Sequence, residues 1–274
     1  MCWTEITRRQ YRRDDRHFAS DMTNAEWALL EPHISEPRGL GRPRTVNLRA
    51  VMNAIFYLLT TGCQWRALGK EFPPRSTVQR YYYRWRDDGT WEWINHRLRR
   101  LIRKALGRNA IPSAGIIDSQ SVKTTESGGP RGFDVAKRVK GRKRHIVVDT
   151  EGFLLAVRVH PANVQDNHGA VPLLRLIGRA FPGLRHFFAD RVYRGDKLLN
   201  ALSDLGNWTI EIVTRSQSIG TFQAEPRRWV VERTFAWLGR NRRLAKDFEA
   251  SIASAEAWIV IASVKLLSRR LAKA

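Results

Sequence analysis

Three acids occupy positions where an acid is costly. Asp118 lies inside Ile116-Ile117-Asp118-Ser119, and Asp190 ends Phe187-Phe188-Ala189-Asp190. Glu232 follows Trp229-Val230-Val231 and precedes Arg233-Thr234-Phe235-Ala236-Trp237-Leu238. A carboxylate set among apolar residues needs a cation or a set of hydrogen bonds to hold it there. The first two segments read as buried strands that end on Asp, the third as an amphipathic helix that presents Glu. Each acid has an ordinary alternative when taken singly. Asp118 can bond the hydroxyls of Ser119 or Ser121, Asp190 can cap a turn, and Glu232 can pair with Arg228 four residues before it. Taken together, acids from two strand ends and one helix can converge on one point, and in a basic chain that suggests divalent-metal and phosphate chemistry.

The charge points to the partner. Lys and Arg number 48 against 26 Asp and Glu, a net charge of +22 over 274 residues. Such a balance favours a polyanion, and counterion release makes nucleic acid the leading candidate. A hydrophobic content of 43% and ten Trp describe a folded chain and exclude a disordered basic tail. The two cysteines, Cys2 and Cys63, form no CxxC pair, which excludes a zinc ribbon or a disulfide framework and suits a reducing compartment. No Walker loop and no Gly-x-Ser-x-Gly elbow is present. No apolar stretch is long enough to span a bilayer, and no signal-peptide core opens the chain. A soluble cytoplasmic, nucleoid-associated protein is the expectation.

The acids need elements to position them. Residues 1–21 read as a mobile basic arm with Arg8, Arg9, Arg12, Arg13 and Arg16. Helices follow over 22–110. Thr23 and Glu26 form a capping box, Asn47 caps a second helix that Gly62 ends, and Ser76 with Gln79 reads as another capping box. The helix after Ser76 carries Gln79, Arg80 and Arg84 among aromatic residues, and a fourth runs from about 90 to 106. Linked short helices with a basic third member are helix-turn-helix-like, which makes that third helix a candidate reader of a DNA groove. Beyond Pro112 the pattern changes to strands at 114–122, 144–149, 153–160, 185–189 and 208–213. Helices are expected at 166–181, 196–205, 226–244 and 254–271. The segment 125–140, rich in Gly and basic residues, reads as a loop. This order predicts a mixed sheet, antiparallel first and parallel later, covered by helices. Asp166 reads as a helix cap, His145 as structural or near phosphate, and Lys265, Arg269 and Arg270 as solvated.

The residues Ile117-Asp118-Ser119-Gln120-Ser121-Val122-Lys123, Gly141-Arg142-Lys143-Arg144-His145-Ile146-Val147-Val148-Asp149, Pro161-Ala162-Asn163-Val164-Gln165-Asp166 and Arg227-Arg228-Trp229-Val230-Val231-Glu232-Arg233 carry a resemblance. The N-terminal Glu26-Trp27, Gly41-Arg42-Pro43-Arg44 and Gly62-Cys63-Gln64-Trp65-Arg66 add to it. The chain resembles an insertion-sequence DDE transposase of the IS-five type, within the IS-four superfamily. That resemblance implies an RNase H-like α/β catalytic domain at 111–274 behind a helical DNA-binding domain at 22–110. It implies Asp118, Asp190 and Glu232 as the catalytic, metal-binding acids, with two Mg²⁺ ions for which Mn²⁺ can substitute. It also implies double-stranded DNA as partner, both transposon ends and target, with a homodimer or higher assembly on DNA. Arg228 matches the family's Arg four before the glutamate. The Tyr expected three before that Arg is Glu225, the Lys expected seven after the glutamate is Gly239 followed by Arg240, and the Gly expected before Tyr193 is Val192. The candidate DNA contacts are Gln79, Arg80, Arg84, Lys143, Arg144, Arg228 and Arg240. Two functions suit this reading: an active transposase that cuts and joins DNA at terminal inverted repeats, or an inactive or domesticated relative that still binds DNA.

Overall fold

Capping and apolar periodicity start the helices where the sequence suggests. A computed structural model describes residues 5, 17–34, 45–126, 128–194, 196–200, 203, 208–213 and 228–273, so the expected basic arm lies largely outside the described residues. Helix α1 (Asn24–Leu30) opens with the capping box: Thr23 Oγ1 accepts from Glu26 N at 2.8 Å, and the Glu26 carboxylate accepts from Thr23 N at 3.3 Å. Helix α2 (Leu48–Thr61) is capped by Asn47, buries Val51, Ile55, Leu58 and Leu59, and stops at Gly62, whose φ of 70° only glycine adopts freely. Helix α3 (Arg75–Asp87) differs from expectation. It begins before Ser76, the Pro74 carbonyl accepts from Thr77 N and Val78 N, and no side chain caps it, so the Ser76–Gln79 box does not form. Helix α4 (Thr90–Ala105) completes the all-helical N-terminal part.

The remaining elements are β1 (Ala114–Lys123), β2 (Gly132–Asp134), β3 (Val139–Asp149), β4 (Leu154–Pro161), α5 (Asp166–Ala180), β5 (His186–Ala189), α6 (Asp196–Asn200), β6 (Thr209–Ile212), α7 (Arg228–Gly239) and α8 (Ile252–Leu271). The sheet runs β2-β3-β1-β5-β6, with β4 also on β3. Strands β1, β3 and β4 pair antiparallel, while β1–β5 and β5–β6 are parallel. This is a mixed sheet, antiparallel among β1, β3 and β4 and parallel at β5 and β6, flanked by helices as expected. Two expectations change. The segment 125–140 is not all loop, because β2 and the start of β3 pair there through Gly132–Gly141 and Asp134–Val139. The helix expected over 226–244 stops at Gly239 and gives way to a 3-10 turn at Arg242–Leu244, while 226–227 lie outside the described residues.

Two-residue alternation divides the core between the faces of the sheet. Ile117, Val147, Phe187 and Ala189 pack with Ala170, Leu173, Leu174 and Ile177 of α5. Ile116, Val148 and Phe188 face the other way and join Val230, Val231, Phe235 and Leu238 of α7, together with α8 and the N-terminal helices. Helix α8 is buried nearly all round, including Trp258, Ile259, Val260 and Ile261, and so becomes the shared centre of that layer. Lys265 is accordingly not solvated: its ammonium donates to Thr60 Oγ1 and, at 3.2 Å, to Asn241 Oδ1. Arg269 donates to the Ala19 carbonyl at 3.0 Å, and the Arg270 guanidinium lies 4.0 Å from the Trp237 ring centroid.

Candidate active site

Register brings the two aspartates together. Strands β1 and β5 run parallel, and their pairing ends at Ile117–Ala189. The next residues are Asp118, which is still within β1 and not at its end as expected, and Asp190, just past the end of β5. Both lie at the same level, at the carboxyl end of the parallel pair, where open α/β sheets form their crevice. Alternation turns both to the face of Ile116 and Phe188, the face covered by α7. There Val231 lines a small recess with Ile116, Ile117, Asp118, Phe188, Ala189, Asp190 and Val213. Glu232 follows Val231 on the exposed side of the helix. Asp118 Oδ1 accepts from Ser119 N at 2.7 Å, and Asp190 Oδ1 accepts from Arg191 N at 2.5 Å, where Asp190 also caps the 3-10 turn Arg191–Tyr193. Among the described residues no group of three His, Cys, Asp or Glu side chains stands close enough to hold a metal ion. Asp118 and Asp190 thus share the face covered by α7, the helix that carries the exposed Glu232. As oxygen donors they suit a hard divalent cation.

Behind this pair, on the α5 face, lies a polar cluster not foreseen as a unit. Asp166 is not the cap of α5: Gln165 holds that position. Its Oδ1 instead accepts from Ser119 Oγ at 2.6 Å and lies 3.2 Å from Lys143 Nζ and 3.5 Å from His145 Nε2. Burial raises the Asp166 carboxyl, but Ser119, Lys143 and His145 outweigh it and hold it below the usual carboxylate range. His145 Nδ1 shares a 2.7 Å hydrogen bond with His160 Nε2. Burial, then the His160 imidazole, push His145 down to about 3, so it is neutral in the fold. The alternation within Gly141-Arg142-Lys143-Arg144-His145 is the signal that could have revealed this cluster.

The same alternation corrects the reading of the basic motif. Lys143 and Arg144 were expected on DNA, yet both are buried. Lys143 Nζ donates to the Val164 carbonyl at 3.0 Å and lies 3.5 Å from Asp134. On the opposite face Arg144 donates to the carbonyls of Leu244 and Lys246, at 2.7 and 3.1 Å. Arg142 beside it pairs with Asp247 at 3.1 Å and donates to Glu249 O and Ala250 O. A planar fork of donors suits such a carbonyl-rich turn. Of the other candidates, Arg80, Arg84 and Arg240 are exposed and Gln79 is half-buried. Val78, Tyr81, Tyr82 and Trp85 hold the inner side of α3, which leaves Arg80 and Arg84 outward, the latter 3.8 Å from Asp88. The Arg228 side chain and Glu225 lie outside the described residues. On α7 a ladder also escaped the sequence reading: Arg233 sits 4.6 Å from the Trp229 centroid and 4.5 Å from that of Trp237. Its i, i+4, i+8 spacing was the available signal.

The family described as "Transposase DDE domain" matches residues 109–267, and "Putative transposase of IS4/5 family (DUF4096)" matches 22–95. The putative transposase for insertion sequence element IS402 of Burkholderia cepacia is 35% identical over 144 residues, which span 49% of this chain and 64% of that protein. Among solved structures, the catalytic core domain of BIV integrase is 15% identical with a TM-score of 0.34, over 54% of this chain and 81% of its own. The transposase DDE domain covers more than half of the sequence, and the chain belongs to that family.

Proposed function

We propose that this chain is a metal-dependent DNA transposase that binds the terminal inverted repeats of an insertion sequence, cuts the DNA there and joins the ends to target DNA. The observation that supports the reading is the register of β1 and β5, which sets Asp118 and Asp190 side by side on the face covered by α7, the helix whose sequence carries Glu232. In this reading Asp118, Asp190 and Glu232 would hold two Mg²⁺ ions, which when bound would supply Lewis-acid activation of the attacking oxygen and charge stabilisation of the leaving one during in-line displacement at phosphorus. Water attack breaks the P–O3′ bond and leaves a 3′-hydroxyl and a 5′-phosphate. The 3′-hydroxyl then attacks a target phosphate in the same site, one P–O bond forming as another breaks, with no covalent protein–DNA intermediate.

Recognition belongs to the outward side of α3, with Gln79, Arg80 and Arg84 at base edges. Arg240 and Arg228 hold phosphate beside the acids. Lys143 and Arg144 have no part in it, being buried. A dimer or larger assembly on DNA holds two ends at once. The test is strand cleavage of a duplex bearing the terminal repeat. Asp118→Asn is expected to abolish Mg²⁺-dependent cleavage while binding stays near wild type, and cleavage retained by Asp118→Asn would overturn the assignment. Binding without cleavage by the wild-type chain would instead establish the second reading, an inactive DNA-binding relative. Arg80→Ala is expected to cost about 1–3 kcal/mol on terminal-repeat DNA if Arg80 contacts a base. An equal loss on random duplex would reduce its role to backbone contact.

A further inference from the structure

The β2–β3 hairpin carries an exposed apolar tip in a strongly basic chain. Phe133 is 49% exposed and Val135 78%. Around them Arg131, Lys137, Arg138 and Lys140 are exposed. The tip is held in place: Ser121 Oγ donates to Asp134 Oδ2 at 2.6 Å, and Lys137 N donates to Asp134 Oδ1 at 3.0 Å. Lys137 Nζ then reaches the carbonyl of Ser119, the neighbour of Asp118, at 3.2 Å. Phe133, Val135 and Ala136 line a cavity of about 460 Å³ together with Asp166 and Val192; Val192 is two residues beyond Asp190 and 54% exposed. The hairpin is thus anchored to β1 at Ser119 and Ser121, next to Asp118.

Its backbone adds a second, independent observation. Among the described residues Arg138 is the one non-glycine with positive φ, 52°. Glycine or asparagine would adopt this conformation with less strain, and Arg138 holds an exposed cation at the turn of the hairpin. Apolar side chains flanked by cations are how proteins enter a duplex: the cations hold phosphate on either side while the apolar wedge partly unstacks a base step.

We propose that this hairpin is a DNA wedge, in which Phe133 and Val135 enter the duplex at the step presented to Asp118 and Asp190, while Arg138 and Lys140 hold the flanking phosphates. The proposal rests on DNA being the substrate, as in the function proposed above, and not on which acids cut it. A wedge lowers the cost of bending and opening the step, and the cost it must meet is smaller where the bases are already unpaired.

The test uses the full chain without divalent metal and two short target duplexes of one sequence, one fully paired and one with a central mismatch. Wild type is expected to bind the mismatched duplex several-fold more tightly, and to raise the fluorescence of a 2-aminopurine placed at that step. The double variant Phe133→Ser, Val135→Ser, changed only at exposed positions, is expected to bind both duplexes alike with no fluorescence rise. Arg138→Gly, which suits the backbone conformation, is expected to keep the melting temperature and to lower the salt slope of binding by about one. A wild type indifferent to the mismatch, a preference unchanged in the double variant, or an unchanged slope in Arg138→Gly would overturn the wedge. All are read without cleavage, so they stand apart from the outcome for Asp118→Asn.

Discussion

Asp166 and His145 meet within 3.5 Å beneath Ser119, and their protonation makes the fold sensitive to acid in two separate windows. Burial lowers both His145 and His160 from the ordinary 6.5. Their imidazoles therefore take up protons more readily in the unfolded chain, and stability falls as pH drops below that value. Asp134 and Asp166 lie below the ordinary 3.8, so what they contribute is present above it and lost as pH falls through their folded values. Wild type is expected to show a lower urea midpoint at about pH 5.5 than at about pH 7.5, and His145→Gln, His160→Gln to show a flatter dependence. An identical pH slope in the double variant would remove these two residues from the account. At the metal acids the expectation is a separation of effects: chelation of divalent ions with EDTA should stop cleavage and leave DNA binding intact, measured on one preparation.

At the scale of elements, β3 shows how a motif can mislead. Its Arg142 and Arg144 hold the turn that leads into α8, and Arg142 with Asp247 forms an ion pair with side chains 0% and 1% exposed. Removing one partner of such a pair leaves a buried charge uncompensated, so Arg142→Leu is expected to cost about 3–5 kcal/mol in urea denaturation. Replacing Asp247 by Leu as well should recover part of that loss. The salt slope of DNA binding by the folded Arg142→Leu protein should match wild type; a smaller slope would mean that Arg142 reaches phosphate after all. Helix α3 shows the opposite case, with its apolar side packed and Arg80 and Arg84 left outward.

In the whole molecule, α8 joins what the sequence suggests are separate parts. One buried cluster includes Val51, Ile55 and Leu58 of α2, Trp85 of α3, Trp91 and Leu98 of α4, Trp258 and Ile261 of α8, and Ile116 of the sheet. Asn95 on α4 ties into it, donating to the Leu154 carbonyl and accepting from Ser263 Oγ. A fragment ending near residue 110 would expose the faces of α2 and α4 that α8 covers. Such a fragment is expected to be largely unfolded by circular dichroism and quickly proteolysed, whereas a protease-resistant fragment would establish the 22–110 helices as an autonomous domain. Net charge acts at this scale too. With +22 on the chain, affinity for random duplex should fall steeply with NaCl in a linear log–log relation, and a flat relation would exclude a phosphate-dominated interface.

Local chemistry sufficed for several features of the chain. The Thr23–Glu26 box, the Asn47 cap, the Gly62 stop and the hairpin of β3 and β4 follow from propensity and from periods of two or 3.6 residues, so they were legible. So was the presence of three acids in apolar segments, together with the mixed order of strands and helices. The start of α3 was missed because the Pro74 carbonyl, not the Ser76 hydroxyl, takes up the first amides. The tertiary structure alone decided which side of the sheet each residue serves, because a strand's alternation gives two faces without naming what covers them. The parallel register of β1 and β5 placed Asp118 beside Asp190, while packing of α7 and α8 on one face and α5 on the other took Lys143, Arg144 and Lys265 out of solvent and left Phe133 and Val135 in it. Burial depends on elements distant in sequence, such as the partners that hold Arg142 at Asp247 and Lys265 at Asn241, and no local pattern carries that information.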